Sequence, residues 1–346
     1  MFDFIYTVLG AVFGPILGAI YHVVNNYGVA IILFTLFCRV LMLPSAVSQQ
    51  KNQAKNQRIQ YKMRKITEKY KDDRQRLAQE QQEFYKREGY NPMSAGCSGG
   101  MLLQFPIIFG LIAAIYRPLK YALNLKDDTL SLLTVQTQKI LDAAKPFVEK
   151  LAEAKKAGTT FDLTAAQQKL VDFSTALGAG GTKSTYLQLR IVEHLSMYKD
   201  KIPADLFRQI SDFASGPFRF LGLELGKIPK EGGTWVYFLI PVLVGVTSMA
   251  TSLYTMIRQR KTNPEQKQGA AMMGVMSLGM PLMSVWFSLS FPVGIGIYWI
   301  VSSLAALVQI VVLGFTHPPQ KMLAKSMVDE TIERRSRENS RKRVNE

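Results

Sequence analysis

The sequence predicts an all-α polytopic membrane protein, and three observations carry this prediction. Of the 346 residues, 48% are hydrophobic, and the charged residues are gathered into blocks instead of being spread along the chain. Five stretches are apolar over roughly the 20 residues that a helix needs to cross a bilayer. Arg39 lies deep inside the first of these stretches, where a charge demands a physical explanation.

The five predicted membrane spans are the core of this fold. They cover residues 27 to 47, 101 to 119, 236 to 257, 270 to 290 and 293 to 315. Phe291-Pro292 suits a tight turn between the last two. The domain prediction is therefore 1–26, a first helix; 27–47, the first core span; 48–92, a helical hairpin; 93–120, the second span; 121–214, a helical insertion; 215–257, a segment with the third span; 258–269, a loop; 270–315, the fourth and fifth spans; and 316–346, a basic tail.

The distribution of charge predicts the topology. The net charge is +16, with twelve basic against six acidic residues in 51–89, four against one in 258–268, and eight against five from 316 onward. Segment 121–234 is nearly balanced, with fifteen against thirteen. Because basic loops stay on the cytoplasmic side, we expect a multi-pass protein of a bacterial plasma membrane with its N-terminus outside and its C-terminus inside.

The first helix, within residues 1–26, allows two interpretations. It is apolar enough to span, but Gly10, Gly14, Pro15 and Gly18 weaken it, and no cation marks a cytoplasmic start. We therefore favour a helix lying in the exterior interface over an additional span.

Segment 48–92 is predicted to form a cytoplasmic helical hairpin. Apolar residues recur at near-heptad spacing along it, at Ile59, Met63, Ile66, Tyr70, Leu77 and Phe84. Its other face is basic, with Lys62, Arg64, Lys65, Lys69, Arg74 and Arg76. The simpler interpretation is a charged hairpin that packs only on itself. We favour an arm that contacts incoming chains, lipid headgroups or ribosomal RNA.

The exterior segment 121–214 is predicted to be a small helical insertion. Its helices are rich in Ala, Leu, Gln and Lys, with Thr129 and either Asp162 or Thr164 as N-caps. A polar domain of this size buries little apolar surface, so we expect it to be stable only when packed on the membrane domain.

Arg39 is the strongest functional signal in the chain. It follows Tyr27 by twelve residues, which places it about 18 Å into a helix. Such a cation costs about 2.5 kcal/mol or more on insertion scales, so it should face protein, a counter-ion or water. The predicted spans contain no Asp or Glu. We therefore expect a water-filled recess around Arg39 instead of a buried ion pair.

Further polar residues recur within the spans. They are Thr35, one helical turn from Arg39, and Gln104, Thr247, Ser248, Ser252, Ser284, Tyr298, Trp299 and Ser302. Taken singly, each hydroxyl is best explained by an ordinary back-bond within its helix or a bond between helices. Taken together with Arg39, these residues predict one hydrophilic groove that several helices share.

Enzymatic chemistry is not predicted. The three histidines lie outside the five spans, and neither an HExxH motif nor an in-span aspartate pair is present. Cys38 and Cys97 do not form a metal-ligand spacing. The sequence therefore predicts a protein that is not an enzyme and has no cofactor or metal.

Several motifs resemble those of the YidC-type membrane protein insertases, the relatives of the mitochondrial Oxa and chloroplast Albino proteins. The motifs are NYGVAIILFTLFCRVLMLP, YKREGYNP, LLQFPIIFGL, YFLIPVLVGVT and FPVGIGIYWIVSSLAALVQ, in that order. The resemblance implies five core helices around a groove open to the cytoplasm and to lipid. It places the central arginine at Arg39, the second-span glutamine at Gln104 and the aromatic pair at Tyr298 and Trp299. The first helix corresponds to the exterior interfacial helix of the family.

The chain departs from the family pattern in three places. The usual Cys-Phe-Pro is Cys97-Ser98-Gly99-Gly100, and Ser252 stands where many relatives have a glutamine. The chain resembles the Gram-positive form, which lacks the large early exterior domain, but that form usually has a short loop where this chain has 121–214. The insertion therefore inherits no function.

The function that this resemblance implies is insertion and folding of newly made membrane proteins. The groove and Arg39 would attract the polar or acidic tail of a nascent chain before lateral release to the lipid bilayer. A ribosome is an expected partner, the Sec translocon a further one, and a monomer the expected state. The alternatives are an anion transporter or channel that uses Arg39, and a non-catalytic assembly scaffold.

Overall fold

The structure is a computed structural model that describes residues 2–71, 73–88, 99–231, 234–262 and 270–316, with scattered positions between 318 and 336. Within these residues the regular elements are helices, apart from one short two-stranded ribbon. Three parts of the predicted domains lie outside the described residues: 89–98, which is the end of the predicted hairpin and the start of the predicted second span with Cys97; 263–269 of the predicted loop; and most of the predicted basic tail.

The helices follow one another along nearly the whole described chain. In order they are α1 (Phe2–Val24), α2 (Tyr27–Leu41), α3 (Leu43–Lys69), α4 (Arg74–Arg87), α5 (Gly99–Tyr116), α6 (Pro118–Tyr121), α7 (Asp127–Ala157), α8 (Ala165–Leu177), α9 (Leu187–Glu193), α10 (Ala204–Ser215), α11 (Leu239–Thr262), α12 (Ala270–Ser290) and α13 (Val293–Thr316). Strands β1 (Arg219–Phe220) and β2 (Leu223–Glu224) pair antiparallel between α10 and α11. The predicted all-α class is confirmed.

Three helical stretches of the described chain are long and apolar enough to cross a membrane: Tyr6–Val24, Trp235–Arg258 and Val293–Thr316. The pair Tyr27–Leu41 and Leu43–Gln50 becomes a fourth if it is counted as one broken span. The described apolar part of α5, Gln104–Tyr116, is shorter. The prediction of five core spans therefore stays a prediction.

The first predicted span is bent instead of continuous. Helix α2 ends at Leu41, α3 begins at Leu43, and the two axes differ in direction by 47°. The cause is Pro44 in the first turn of α3, because proline has no backbone N–H to continue the helical ladder and its ring crowds the preceding turn. Arg39 therefore lies in the last turn of α2, shortly before the bend.

The chain divides into two compact units. The first unit comprises Met1–Phe37, Pro106–Val246 and Leu282–Val301. The second unit comprises Cys38–Phe105, Thr247–Pro281 and Ser302–Glu346. Each is described by itself below.

In the first unit, the glycines of α1 form a packing face against Tyr121. A Cβ atom added to Gly14 would lie 2.4 Å from the Tyr121 ring, and one added to Gly18 would lie 2.2 Å from the Tyr121 carbonyl oxygen. Gly10, one turn earlier, faces the Tyr121 hydroxyl at 2.9 Å in the same test. These residues therefore let α1 approach α6 closely, in addition to lowering helix propensity.

The helical insertion has its own apolar core inside the first unit. Helices α7 and α8 bury Leu133, Ile140 and Phe173, and the hydroxyls of Thr137 and Tyr198 lie 2.7 Å apart within this core. The predicted cap at Thr164 is confirmed, because its hydroxyl and the Gln167 side chain form a complete capping box.

The other predicted cap in the insertion is wrong. Helix α7 begins at Asp127 and not after Thr129, with Lys126 in the N-cap position. Asp127 and Asp128 occupy its first turn, where negative side chains interact favourably with the helix dipole. The acidic pair was thus the better signal for the start of this helix.

In the second unit, α3 and α4 form an antiparallel pair of helices joined around residues 70–73. Ile59 and Phe84 of the predicted apolar seam are buried between them. Lys62 Nζ lies 2.6 Å from Glu88 Oε1, which ties α3 to the end of α4. The Asp73 side chain caps α4 by accepting a hydrogen bond from the Arg76 backbone N–H at 3.0 Å.

Candidate functional site

Arg39, in the second unit, is hydrogen-bonded to α13. Its Nη2 donates to the Ser302 Oγ atom at 2.5 Å. Arg39 is partly buried, whereas Ser302 is only 5% exposed. The serine hydroxyl accepts this hydrogen bond, and the contact therefore orients the guanidinium.

Burial changes along α13 at the point where Arg39 makes this contact. All residues from Val293 to Tyr298 are buried. Of residues 299–316, all of which the structure describes, Ser302 alone is buried. The Arg39–Ser302 hydrogen bond thus lies where α13 passes from a tightly packed part to a more open part.

Further side chains of the second unit donate to α13 beyond Ser302. Thr251 Oγ1, from α11, donates to the Ser303 carbonyl at 3.1 Å. Arg258 Nη1, also from α11, donates to the Ile310 carbonyl at 2.5 Å. Interhelical hydrogen bonds of this kind hold membrane helices together where hydrophobic burial cannot. This part of α13 is therefore lined with polar contacts.

Sequence reasoning did not predict that Arg258 contacts α13. It was counted among the charges of the predicted loop 258–269, because it follows the apolar stretch directly. In the structure Gly314 lies against it: a Cβ atom on Gly314 would lie 2.9 to 3.1 Å from three atoms of the Arg258 guanidinium. The partner of a glycine cannot be read from sequence when it lies on another helix.

The other predicted groove residues are divided between the two units. In the second unit, Gln104, Thr247, Ser248 and Ser252 are each partly buried. In the first unit, Thr35 and Tyr298 are 1% and 2% exposed, while Ser284 and Trp299 are partly buried. Of the predicted residues, the structure brings Arg39 and Ser302 into direct contact.

Two of the first-unit residues have ordinary structural roles. Thr35 Oγ1 donates to the Ile31 carbonyl at 2.7 Å, the back-bond that threonine commonly makes in a helix. The Trp299 ring stacks near Phe287 and meets Phe291 edge-on, with centroids 6.3 and 6.1 Å apart. These contacts account for both residues without a ligand.

The predicted basic face of the α3–α4 hairpin is mostly exposed. Arg64, Lys65, Lys69, Arg74 and Arg76 are exposed, whereas Lys62 is partly buried in its ion pair with Glu88. Arg64 also pairs with Glu68 at 2.8 Å, one turn along α3. Exposed pairs of this kind contribute little stability, so these cations remain accessible to an anionic partner.

The insertion of the first unit, and the segment that follows it, are hydrogen-bonded to the ends of two apolar helices. The hydroxyls of Tyr186 and Tyr116, the last residue of α5, are 3.2 Å apart. The first residues of α13 donate to the segment after the insertion: Val293 N to Lys227 O and Gly294 N to Leu225 O, both at 2.9 Å. The insertion therefore packs on the membrane helices, as its small size requires.

A buried arginine supports this end of the first unit. Arg190 pairs with Glu193 at 2.7 Å and with Glu231. Burial by itself lowers the pKa of Arg190, but the hydrogen bonds that its guanidinium donates to the carboxylates of Glu231 and Glu193 outweigh burial and raise the pKa above its ordinary value. Arg190 is thus a fixed positive charge that links α9 to the segment before α11.

Among the described residues, no three His, Cys, Asp or Glu side chains are grouped as metal ligands would be. Apolar helices of membrane-crossing length, joined by polar contacts near a cation, define the class as an all-α, multi-pass membrane protein. A family model described as "60Kd inner membrane protein" matches residues 19–318, and the chain belongs to that family.

Curated relatives share part of this chain. It is 40% identical over 107 residues to the "Membrane protein insertase YidC" of Syntrophus aciditrophicus (strain SB), which is 31% of this chain and 19% of the relative. It is 42% identical over 97 residues to the protein of that name from Granulibacter bethesdensis, covering 28% and 16%. The matched stretches thus span less than a fifth of these relatives.

Proposed function

We propose that this protein is a membrane protein insertase that uses Arg39 to attract the polar or acidic tail of a newly made membrane protein. The observation that supports the proposal is the Arg39–Ser302 hydrogen bond, which holds the guanidinium of Arg39, in the last turn of the apolar helix α2, against α13. The family and the names of the relatives support the same class of activity.

The first step is electrostatic capture. An acidic side chain at about 4 Å from the guanidinium gains about 4 kcal/mol at an effective dielectric constant of about 20. That gain offsets much of the cost of moving one carboxylate out of bulk water. The Ser302 contact reduces the entropic cost of binding, because the Arg39 side chain is already oriented before the client arrives.

The second step is lateral release. The apolar segment behind the captured tail partitions into lipid, which stabilises it by about 25 cal/mol for each Å² of apolar surface removed from water. This burial drives the reaction without nucleotide, and the membrane potential adds to it for acidic tails. In the second unit, Gln104, Thr247, Ser248 and Ser252 would keep the path hydrated. Four further residues are predicted to line this path: Thr35, Ser284, Tyr298 and Trp299.

The proposed topology has α1 lying across the exterior ends of the membrane helices. Contacts within the first unit support it. Tyr6 lies 6.0 and 6.2 Å from the rings of Phe109 and Tyr116, and Gly18 packs on Tyr121.

A labelling experiment tests this orientation. In a Cys38→Ser, Cys97→Ser background, a cysteine replacing the exposed Thr7 should react with a membrane-impermeant reagent added outside the cell. Labelling of the same residue from the cytoplasmic side alone would make α1 an additional span.

The α3–α4 hairpin is proposed to recruit ribosomes or nascent chains in the cytoplasm. Its exposed cations, Arg64, Lys65, Lys69, Arg74 and Arg76, support this role, because clustered positive charge attracts polyanions and raises association rates. We propose that the protein acts as a monomer, alone or together with the Sec translocon.

Insertion by the purified protein in vesicles tests the proposed function. Two client proteins that differ only in an Asp or an Asn in the translocated tail would be compared, with protease protection as the measure. Arg39→Ala should lower insertion of the Asp client by at least tenfold and affect the Asn client less. Arg39→Lys, which keeps the charge, should restore part of the loss.

The alternatives predict different outcomes. An anion transporter would lose solute flux in the Arg39→Ala variant without a difference between the two clients. An assembly scaffold would tolerate the substitution in both measurements. Equal loss for the Asp and Asn clients would contradict electrostatic capture.

A further inference from the structure

The tip of the β1–β2 ribbon, in the first unit, carries an apolar side chain that the fold leaves uncovered. Phe220 and Leu223 are paired across the ribbon, so Leu221 and Gly222 form a two-residue turn. Leu221 is 85% exposed, whereas Leu223, two residues later, is 9% exposed. A Cβ atom added to Gly222 would meet no atom of the described chain within 4 Å. The tip therefore projects from the protein surface.

The backbone at Leu221 has a conformation that disfavours leucine. Its φ angle is 51°, and that of Gly222 is 80°. A turn with two positive φ angles favours asparagine followed by glycine, because the Cβ atom of most residues crowds the backbone in the left-handed region. Position 221 thus combines a strained backbone with an apolar side chain open to solvent. A residue that breaks both local rules indicates a role outside the packing of the chain itself.

Contacts of β1 hold the ribbon beside the first turn of α2. The Tyr27 backbone N–H donates to the Pro217 carbonyl at 2.9 Å. The Phe220 ring packs on Gly28, where an added Cβ atom would lie 2.4 Å from it. Successive residues of the segment 217–220 thus contact successive residues at the start of α2. The ribbon runs beside this helix end instead of rising away from it, and the turn at Leu221 follows directly.

Two further apolar helices begin next to the ribbon. Gly294, in the first turn of α13, donates its backbone N–H to the Leu225 carbonyl at 2.9 Å. The Glu224 backbone N–H donates to the hydroxyl of Tyr237, shortly before α11, at 3.5 Å. Trp235, the first residue of the membrane-crossing stretch that contains α11, is 71% exposed. Tryptophans at such helix ends are typical of the boundary between lipid headgroups and acyl chains.

The charges of the ribbon suit the same boundary. Arg219 Nη2 lies 2.6 Å from Glu224 Oε1, in the pair of residues just behind the one that closes the turn. Both side chains are partly open to solvent, and the tip beyond them is uncharged. This order places charged groups at the level of the headgroups and leaves an apolar side chain to enter the acyl region.

We propose that Leu221 is a membrane anchor, and that the tip of the ribbon inserts into the acyl chains of the leaflet beside the starts of α2, α11 and α13. The ribbon lies outside the three membrane-crossing stretches, so those stretches do not imply this contact. A protein partner fits the tip less well, because a stable interface buries about 800 Å² on each side, far more than one leucine offers. The anchor does not depend on the proposed insertase function.

Spin-label depth measurements test the anchor. In a Cys38→Ser, Cys97→Ser background, Leu221→Cys carries a nitroxide, and the protein is placed in phospholipid nanodiscs without any client. The label at position 221 should be more accessible to oxygen, which concentrates among acyl chains, than to a water-soluble nickel chelate. Thr160→Cys, at an exposed position between α7 and α8, is the control and should show the reverse order.

Two results of this measurement would overturn the proposal. One is a label at position 221 that is as accessible to the nickel chelate as the label at position 160. The other is a label at position 221 that leaves water only after a client is added, which identifies a client chain as the partner. Because the first measurement uses no client, its outcome is independent of insertase activity.

Hydrogen exchange measures what the anchor contributes. Leu221→Ala keeps a Cβ atom, and hence the strained backbone, but removes most of the apolar surface. Exchange of the ribbon amides in nanodiscs should become several-fold faster in this variant, whereas Leu221→Met should keep the wild-type rate. Leu151→Ala, at an exposed position on α7, removes the same atoms elsewhere and should leave ribbon exchange unchanged. Exchange at the wild-type rate in Leu221→Ala would contradict an anchoring role.

Discussion

Arg39 Nη2 donates a hydrogen bond to Ser302 Oγ across 2.5 Å, joining two residues that are 263 positions apart in the sequence. The contact connects the last turn of α2 to α13 beyond its tightly buried first six residues. It fixes the direction of the guanidinium, and the proposed mechanism depends on that orientation.

Removing the Ser302 hydroxyl should weaken the site without abolishing it. A hydrogen bond to a charged group contributes about 1.5–3 kcal/mol, but water can replace part of it in a partly open site. We expect Ser302→Ala to lower insertion of an acidic-tailed client several-fold, less than Arg39→Ala does. Ser303→Ala, which keeps the backbone carbonyl that Thr251 contacts, is the neighbouring control. Insertion at the wild-type level in Ser302→Ala would contradict a positioning role.

The glycine face of α1 predicts a stability difference between two identical substitutions. Gly18→Ala would place a Cβ 2.2 Å from a backbone oxygen of Tyr121, which cannot rotate away. Overpacking of this kind costs about 1–3 kcal/mol. Gly279→Ala, on α12 with nothing within 4 Å, should instead be neutral or stabilise by up to about 1 kcal/mol. Thermal unfolding in detergent measures both, and equal stability of the two variants would argue against this packing.

The hairpin cations should control recruitment. Replacing Lys65, Lys69, Arg74 and Arg76 together by Gln should lower co-sedimentation with ribosomes several-fold and flatten its salt dependence, because fewer counterions are released. The control replaces four exposed lysines of the insertion by Gln: Lys145, Lys150, Lys199 and Lys201. Equal ribosome binding by both variants would contradict a recruiting role for the hairpin, which would then be a structural element that packs only on itself.

His194 should make the insertion less stable in acid. Burial is the largest influence on the pKa of His194 and lowers it, with Arg190 and Lys227 acting in the same direction while Glu193 and Asp172 oppose them. The folded state therefore keeps His194 neutral at a pH where the unfolded chain, with a pKa of about 6.5, binds a proton. Stability is complete above that pH, falls as the pH drops through 6.5, and levels off below the folded pKa.

Hydrogen exchange of the α8 and α9 amides measures this effect. After correction for intrinsic rates, opening should be easier at pH 5.5 than at pH 7.5, and His194→Gln should reduce the difference. His194 contacts Phe173 of α8, with ring centroids 5.3 Å apart, so these helices report on it directly. An unchanged pH dependence in the variant would assign the effect to the surrounding carboxylates.

Structural features that depend on neighbouring residues in the chain could be predicted from the sequence. Three features could be predicted because they depend on residues within one or two helical turns. They are the apolar seam of the hairpin, the Thr164 cap and the helical character of the apolar stretches. The bend at Met42 had a local signal as well, because Pro44 follows it directly. Apolar length alone predicts one continuous span here, whereas Pro44 indicates a bend.

Contacts between segments that are far apart in the chain could not be predicted from the sequence. The α1 glycines were interpreted through helix propensity, because their partner, Tyr121, lies about a hundred residues later. Ser302 likewise is an ordinary serine in the sequence, and its hydrogen bond from Arg39, 263 positions away, appears only in the fold. Arg39 itself was identifiable because the cost of a charge inside an apolar stretch does not depend on knowing its neighbours.

The central claim is that water reaches Arg39 from the cytoplasmic side, and cysteine labelling tests it most directly. In a Cys97→Ser background, native Cys38 is 4% exposed and serves as an adjacent buried control. A membrane-impermeant thiol reagent should label Arg39→Cys from the cytoplasmic face of inverted vesicles, and leave the parent with Cys38 alone unlabelled. Labelling of position 39 from the exterior, or from neither face, would contradict the account.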